Sequence, residues 1–292
     1  MEYILKCGAL TAITESHGGE LISLKDASGR EYIWQGNPAY WSGRNPNLFP
    51  IVGGLKDGTV FVDGLPFRMG RHGFARNSEF SVLEQGVDHI VFQLVESEST
   101  LQVYPFRFDF RVRHQLTESG FFTQFEVYNP GDAALPFCVG AHTAFNCPLK
   151  AGEQFSDYHL VFEGIEDAWA IYPTPEGCLS PDNKLYALQN TDIFALNHEI
   201  FAQVDTLVFD GLKSTSVALL GADGHGVRMD YNGFPMIAFW TAGAKRAPYI
   251  CLEPWHGCAA FENESGEFKD KPHCILLEPG ERKMLRVAVS LV

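Results

Sequence analysis

Basic residues are scarce in this chain of 292 residues: 22 Lys and Arg stand against 36 Asp and Glu, a net charge of -14, and no basic run occurs anywhere. A surface of that sign repels nucleic acid and anionic lipid, so neither is expected as a partner. It also disfavours a strongly anionic small molecule unless arginines are gathered locally. No apolar run approaches the roughly 18 residues of a membrane span. The opening MEYILKCGAL lacks the charged segment and long apolar stretch of an export signal. The seven cysteines (Cys7, Cys138, Cys147, Cys178, Cys251, Cys258 and Cys274) are odd in number, scattered and without a CxxC pair. That usage fits a reducing compartment, and a cytoplasmic location is expected.

Several chemistries are missing as well. There is no HxH, HxxxH or HExxH spacing and no cysteine pair to complete a zinc site, so no metal is expected unless folding gathers distant ligands. GxGxxG is absent, VGGLKDG lacks the Walker lysine spacing, and no GxSxG elbow occurs. No cofactor is expected. No fixed-period repeat, low-complexity segment or linker-like shift divides the chain, and residues 1–292 are read as one domain.

What the chain does contain is short runs of Phe, Val, Ile, Tyr and Thr punctuated by Gly, Pro, Asn and Asp, the pattern of a many-stranded antiparallel protein. HIVFQLVES (89–97), FRFDFRVRHQLT (106–117), FFTQFEVYN (121–129) and CILLEPGERKMLRVAVSLV (274–292) are the clearest examples. In the second, Phe106, Phe108, Phe110, Val112 and His114 alternate with Arg107, Asp109, Arg111 and Arg113, so one face meets a core and the other meets water. Asp57-Gly58 and Asp63-Gly64 read as consecutive hairpin turns, and EPGE (278–281) joins two apolar runs in the same way. Helical periodicity is confined to about 190–203, capped by Asn190 or Thr191, and AIYPTPEGCLSPDN (170–183) reads as a long loop. With 23 phenylalanines to fill a core, the expected fold is all-β, a sandwich of two large antiparallel sheets with a ligand on a concave face.

Three titratable residues stand in unusual settings. Glu253, in LEPWHG, precedes a proline and lies two residues from Trp255. An X-Pro segment is extended, and a carboxylate presented there beside an indole suits a base acting on a sugar hydroxyl while the indole covers the sugar's C–H face. The apolar run around it, FPMIAFWTAG and PYICL, implies partial desolvation and a raised pKa. His142, in VGAHTAFNCP, has space cleared by Gly140 and Ala141, with Phe145 as an apolar wall and Asn146 as an amide. The competing reading is a core imidazole bonded to a carbonyl. His72 lies between Arg71 and Arg76 with Gly73 beside it: either a solvated loop histidine or an imidazole that orients a hydroxyl with Arg76 as a multi-donor fork.

The blocks NPNLFPIVGGLKDG (45–58), RHGFAR (71–76), YPFRFDFRV (104–112), VGAHTAFNCPL (139–149), VDTLVFDGL (204–212) and LEPWHG (252–257) together resemble the aldose 1-epimerase (galactose mutarotase-like) family, in particular its LacX-like branch. The resemblance implies a galactose mutarotase-type β-supersandwich that binds a hexopyranose in an open cleft, as a monomer or homodimer. It also implies His142 as general acid, Glu253 as general base, His72 and Asp205 as substrate ligands and Trp255 as a wall. Gly54 stands where the branch carries a sugar-binding arginine, and Arg76 or Arg44 are the residues placed to substitute. The function implied is interconversion of α and β anomers of a free hexose. An epimerase of hexose 6-phosphates, which needs an arginine cluster, and a non-catalytic sugar-binding or sensor protein remain as alternatives.

Overall fold

The computed structural model describes residues 1–292; its regular structure is mainly antiparallel strands, with two short α-helices, Glu98–Leu101 and His198–Val204. No helix is long and apolar enough to cross a membrane. A sheet of fifteen strands dominates. It runs from Asn47–Leu48 through Val139–Ala141, Tyr249–His256, Met236–Trp240, Thr206–Asp210 and His159–Pro173 to Ser216–Leu220 and Gly226–Asp230. It then continues through Arg282–Leu291, Gly120–Tyr128, Asp109–Leu116 and His89–Val95 to Ser81–Gln85. The long strand Arg282–Leu291 pairs with Gly226–Asp230 on one side and Gly120–Tyr128 on the other, so it joins the two halves.

Alternation explains the second half. In Asp109–Leu116 the residues Phe110, Val112, His114 and Leu116 are buried, while Arg111, Arg113 and Gln115 reach solvent. Phe110 stacks on Phe49 of the first half with ring centroids 4.4 Å apart and on Phe125 at 6.1 Å. Each such ring removes enough apolar surface to contribute about 1.5–3 kcal/mol, and the main core spans both halves.

Local readings fail where longer-range pairing competes. The strand Leu179–Ala195 occupies the first part of the expected helix at 190–203, which is His198–Val204. Asn197, not Asn190 or Thr191, caps it by accepting from the backbone N–H of Ile200 at 2.9 Å. The expected loop at 170–183 is mostly strand, since Pro173 pairs with Leu179 and Ile171 with Lys184 across a five-residue turn, with register shifts absorbing the prolines. Asp63-Gly64 does turn a hairpin, between Thr59–Val62 and Leu65–Arg68, but Asp57-Gly58 forms a 3-10 turn. EPGE is no hairpin either: Ile275–Leu277 pairs with Leu135–Phe137, and Arg282–Leu291 belongs to the large sheet.

Candidate active site

Register brings His142 and Glu253 together. Tyr249–His256 pairs with both Val139–Ala141 and Thr143–Asn146 in one frame: Val139 faces His256, Gly140 faces Trp255, Thr143 faces Leu252 and Ala144 faces Cys251. The same frame sets His142 opposite Glu253. Pro254 has no N–H to donate, and the pairing between these strands is interrupted at this point, while Glu253 stays paired with Ala238 on its other side. His142 Nε2 lies 3.3 Å from Glu253 Oε2. Period-2 geometry puts Cys251, Glu253 and Trp255 on one face. Gly140 is required opposite the indole, because a Cβ there would lie 2.8 Å from Trp255 Cδ1.

The strap leading into Asn47–Leu48 braces this region. Asn45 donates to the Leu21 carbonyl at 3.2 Å and accepts from the Thr143 hydroxyl at 2.7 Å, one residue beyond His142. His72 is locked by two reciprocal bonds: its backbone N–H donates to the Gly53 carbonyl at 2.8 Å, and its Nδ1 accepts from the Gly53 N–H at 3.1 Å. Nδ1 is therefore the acceptor, and the ring's N–H is Nε2. The residue holds φ at 65°, a left-handed conformation uncommon for any residue but glycine, of the kind found at functional sites.

His72, His142 and Glu253 line a cleft of about 700 Å³ together with Arg71, Arg76, Asp205, Trp41, Trp240 and Trp255, within the size range of ligand cavities. Asp205 reaches the mouth, where Oδ1 accepts from Trp240 Nε1 at 3.1 Å and Oδ2 from the Thr206 hydroxyl at 2.9 Å. Arg76 is half-buried, and neither its guanidinium nor that of Arg71 is hydrogen-bonded or ion-paired to any protein group. Burial lowers the pKa of Arg76.

Glu253 and His142 are 1% and 6% exposed. Burial pushes Glu253 well above the usual carboxylate range; the charge of Asp205 adds to the rise and that of Arg76 opposes it. Burial, reinforced by the charge of Arg76, pushes His142 well down. An ionised Glu253 beside a protonated His142 is thus not the form burial favours; a carboxylic acid beside a neutral imidazole is. Both forms hold one proton between the partners. Glu253 Oε2, His142 Nδ1 and Trp255 Nε1 are buried without a hydrogen-bond partner. Such groups are costly to desolvate, and three of them around one hollow suit a ligand rich in hydroxyls.

Two readings from sequence need correction. Asn146 lies four residues along an extended strand from His142, about 13 Å, and is not in the cleft: its amide donates to the Glu31 carbonyl at 2.9 Å and the Ile33 carbonyl at 3.2 Å. Arg44 also lies outside, 3.6 Å from Glu15. Gly54 lines the cleft beside a hairpin turn that crowds it, since a Cβ there would lie 3.3 Å from the Gly177 carbonyl. A Cβ on Gly177 would in turn meet Arg71 Nη2 at 2.6 Å, so Arg71 and Arg76 are the guanidiniums that reach the cleft. Sequence reading missed Trp41, which stacks on His142; its only local signal is an aromatic pair flanked by glycines at 36 and 43.

A family profile described as aldose 1-epimerase matches residues 1–290. The chain is 36% identical over 283 residues to the chromosomal protein LacX of Lactococcus lactis subsp. lactis, covering 94% of each. A galactose mutarotase related enzyme from Lactobacillus acidophilus superposes with a TM-score of 0.94 at 31% identity, over 100% of this chain and 97% of that one. A galactose mutarotase-like protein from Lactobacillus casei ATCC 334 gives a TM-score of 0.91 at 25% identity, with both chains fully covered. The architecture is thus galactose mutarotase-like, and with a match along almost its whole length the chain belongs to the aldose 1-epimerase family.

Proposed function

We propose that this protein interconverts the α and β anomers of a free hexose by opening and reclosing the pyranose ring. The observation that carries the reading is the cross-strand pair of His142 and Glu253, 3.3 Å apart, in a cleft walled by the indoles of Trp240 and Trp255. Indole faces cover the C–H surfaces of a sugar, and the three unpartnered buried polar atoms take up its hydroxyls.

Mutarotation needs one proton removed from the anomeric hydroxyl and one delivered to the ring oxygen. The pair holds one proton in total, and a sugar hydroxyl donating to the carboxylate moves it from Glu253 to His142. Glu253 then accepts the O1 proton while His142 donates to O5, and the C1–O5 bond breaks to leave an aldehyde. The pair has returned to its neutral form. Rotation about C1–C2 exposes the other carbonyl face, and the reverse transfers close the ring. His72 Nε2–H and Asp205 hold hydroxyls away from C1, so only that end of the sugar turns.

Replacing Glu253 by Gln keeps the shape and removes the base. Polarimetry of fresh α-glucose and α-galactose is expected to show kcat lowered about 10²- to 10⁴-fold, with sugar binding by calorimetry retained. Wild-type rates in that variant would overturn the assignment. A second reading, an epimerase of hexose 6-phosphates, draws support from the two unpaired guanidiniums of Arg71 and Arg76; competition by inorganic phosphate favours it, and indifference to phosphate favours the free sugar.

A further inference from the structure

We infer that Trp41 is a positioning residue that fixes the plane of the His142 ring and favours its protonated form, an inference that rests on the mutarotase reading above. A catalytic imidazole is ordinarily oriented by a hydrogen bond at its second nitrogen. Here no protein group partners Nδ1, and Nε2 faces the very carboxylate with which it must exchange a proton. Some other force has to hold the ring.

The aromatic surroundings supply it. The Trp41 indole stacks on the imidazole with centroids 4.9 Å apart and planes 27° from parallel. Trp240 meets the ring edge-on at 5.7 Å and 77°, and His72 does so at 5.4 Å and 81°. Three contacts from different directions leave the ring little freedom to rotate.

Trp41 is itself held. Its backbone N–H donates to the Asn37 carbonyl at 3.0 Å, and its backbone carbonyl accepts from Trp34 Nε1 at 2.9 Å. Trp240 packs edge-on against it at 5.2 Å. A Cβ at Gly43 would lie 2.3 Å from Trp41 Cζ2, so the indole's place requires a glycine there. The face turned to His142 is unavailable to a sugar, and through that face Trp41 acts on the imidazole.

Stacking also bears on charge. The face of an indole attracts a cation, so the contact favours imidazolium over imidazole and opposes the effect of burial. The proton then passes more readily from Glu253 to His142, which arms the pair.

Trp41→Leu removes the stack and Trp41→Phe keeps a ring in place. The expected result for Trp41→Leu is kcat lowered about tenfold or more with KM changed little, since misorientation of a proton-transfer group acts on the chemical step. Its pH–rate profile should show the acid limb moved to lower pH, and Trp41→Phe should recover most of both effects. A raised KM with unchanged kcat would overturn the inference and make Trp41 a sugar platform. Equal losses in both variants with an unmoved acid limb would reduce it to packing. Titration of the His142 ring by NMR with labelled histidine reads the same point without turnover: Trp41→Leu should lower its pKa, and an unmoved value overturns the inference. If the wild-type protein turns over no hexose, the mutarotase reading fails while this titration still decides the role of Trp41.

Discussion

Two buried histidines, one in each half of the large sheet, differ in a way that separates chemistry from packing. His114 lies between the strands of the second half, fully buried, with Nδ1 3.0 Å from the Thr123 hydroxyl and Nε2 2.8 Å from the Gly19 carbonyl. His142 lies in the first half, equally enclosed, with Nδ1 bonded to nothing and Nε2 facing a carboxyl group. Burial lowers both pKa values, that of His114 to about 4. Burial alone therefore does not mark a catalytic histidine. What differs is hydrogen-bond satisfaction: His114 spends both nitrogens on the fold, and His142 leaves Nδ1 without a protein partner.

The sharpest test of this contrast is to remove each ring. His142→Asn is expected to lower kcat by about 10²- to 10⁴-fold and to leave the melting temperature nearly unchanged, as followed by polarimetry and calorimetry. His114→Ala should do the reverse. It orphans the Thr123 hydroxyl and the Gly19 carbonyl and opens a cavity, a loss of about 3 kcal/mol in chemical denaturation, with kcat unchanged in the folded fraction. If both variants lost stability alike and kept activity, the distinction would collapse.

A third test concerns Glu20, which follows the Gly19 that holds His114 and feels the charge of Arg76 in the cleft. Burial raises its pKa from 4.5 to about 7. The folded chain thus keeps a proton that the unfolded chain has already released. The resulting stability is fully present below about 4.5 and is lost as pH rises to about 7, by about 3 kcal/mol at about 1.4 kcal/mol per pH unit. Glu20→Gln, neutral at every pH, is expected to flatten the dependence of unfolding free energy on pH across that window while the cleft keeps its activity. An unchanged slope would show that Glu20 is charged when folded.

Much of the second half was readable from sequence because its strands alternate cleanly; Asp109–Leu116 buries the residues that the pattern of apolar and charged side chains assigns to the core. The readings at 170–183 and 190–203 failed because prolines and a helix-like spacing lose to a long strand pair that buries more backbone polar groups than either local structure would. In the cleft, the unusual settings of His72, His142 and Glu253 singled them out individually. Asn146 had equally suggestive neighbours, yet the carbonyls of Glu31 and Ile33 claim its amide, and no local pattern reports a partner more than a hundred residues away.

By itself, then, the sequence determined the all-β class, the extended presentation of Glu253 before a proline and the small residues that clear room beside His142, because dihedral limits and side-chain size act over a few residues. Tertiary structure decided that these two face each other, that burial opposes charge on both and that Trp41 lies on the imidazole. Strand register, desolvation and ring stacking each depend on chain segments that are distant in sequence and adjacent only after folding.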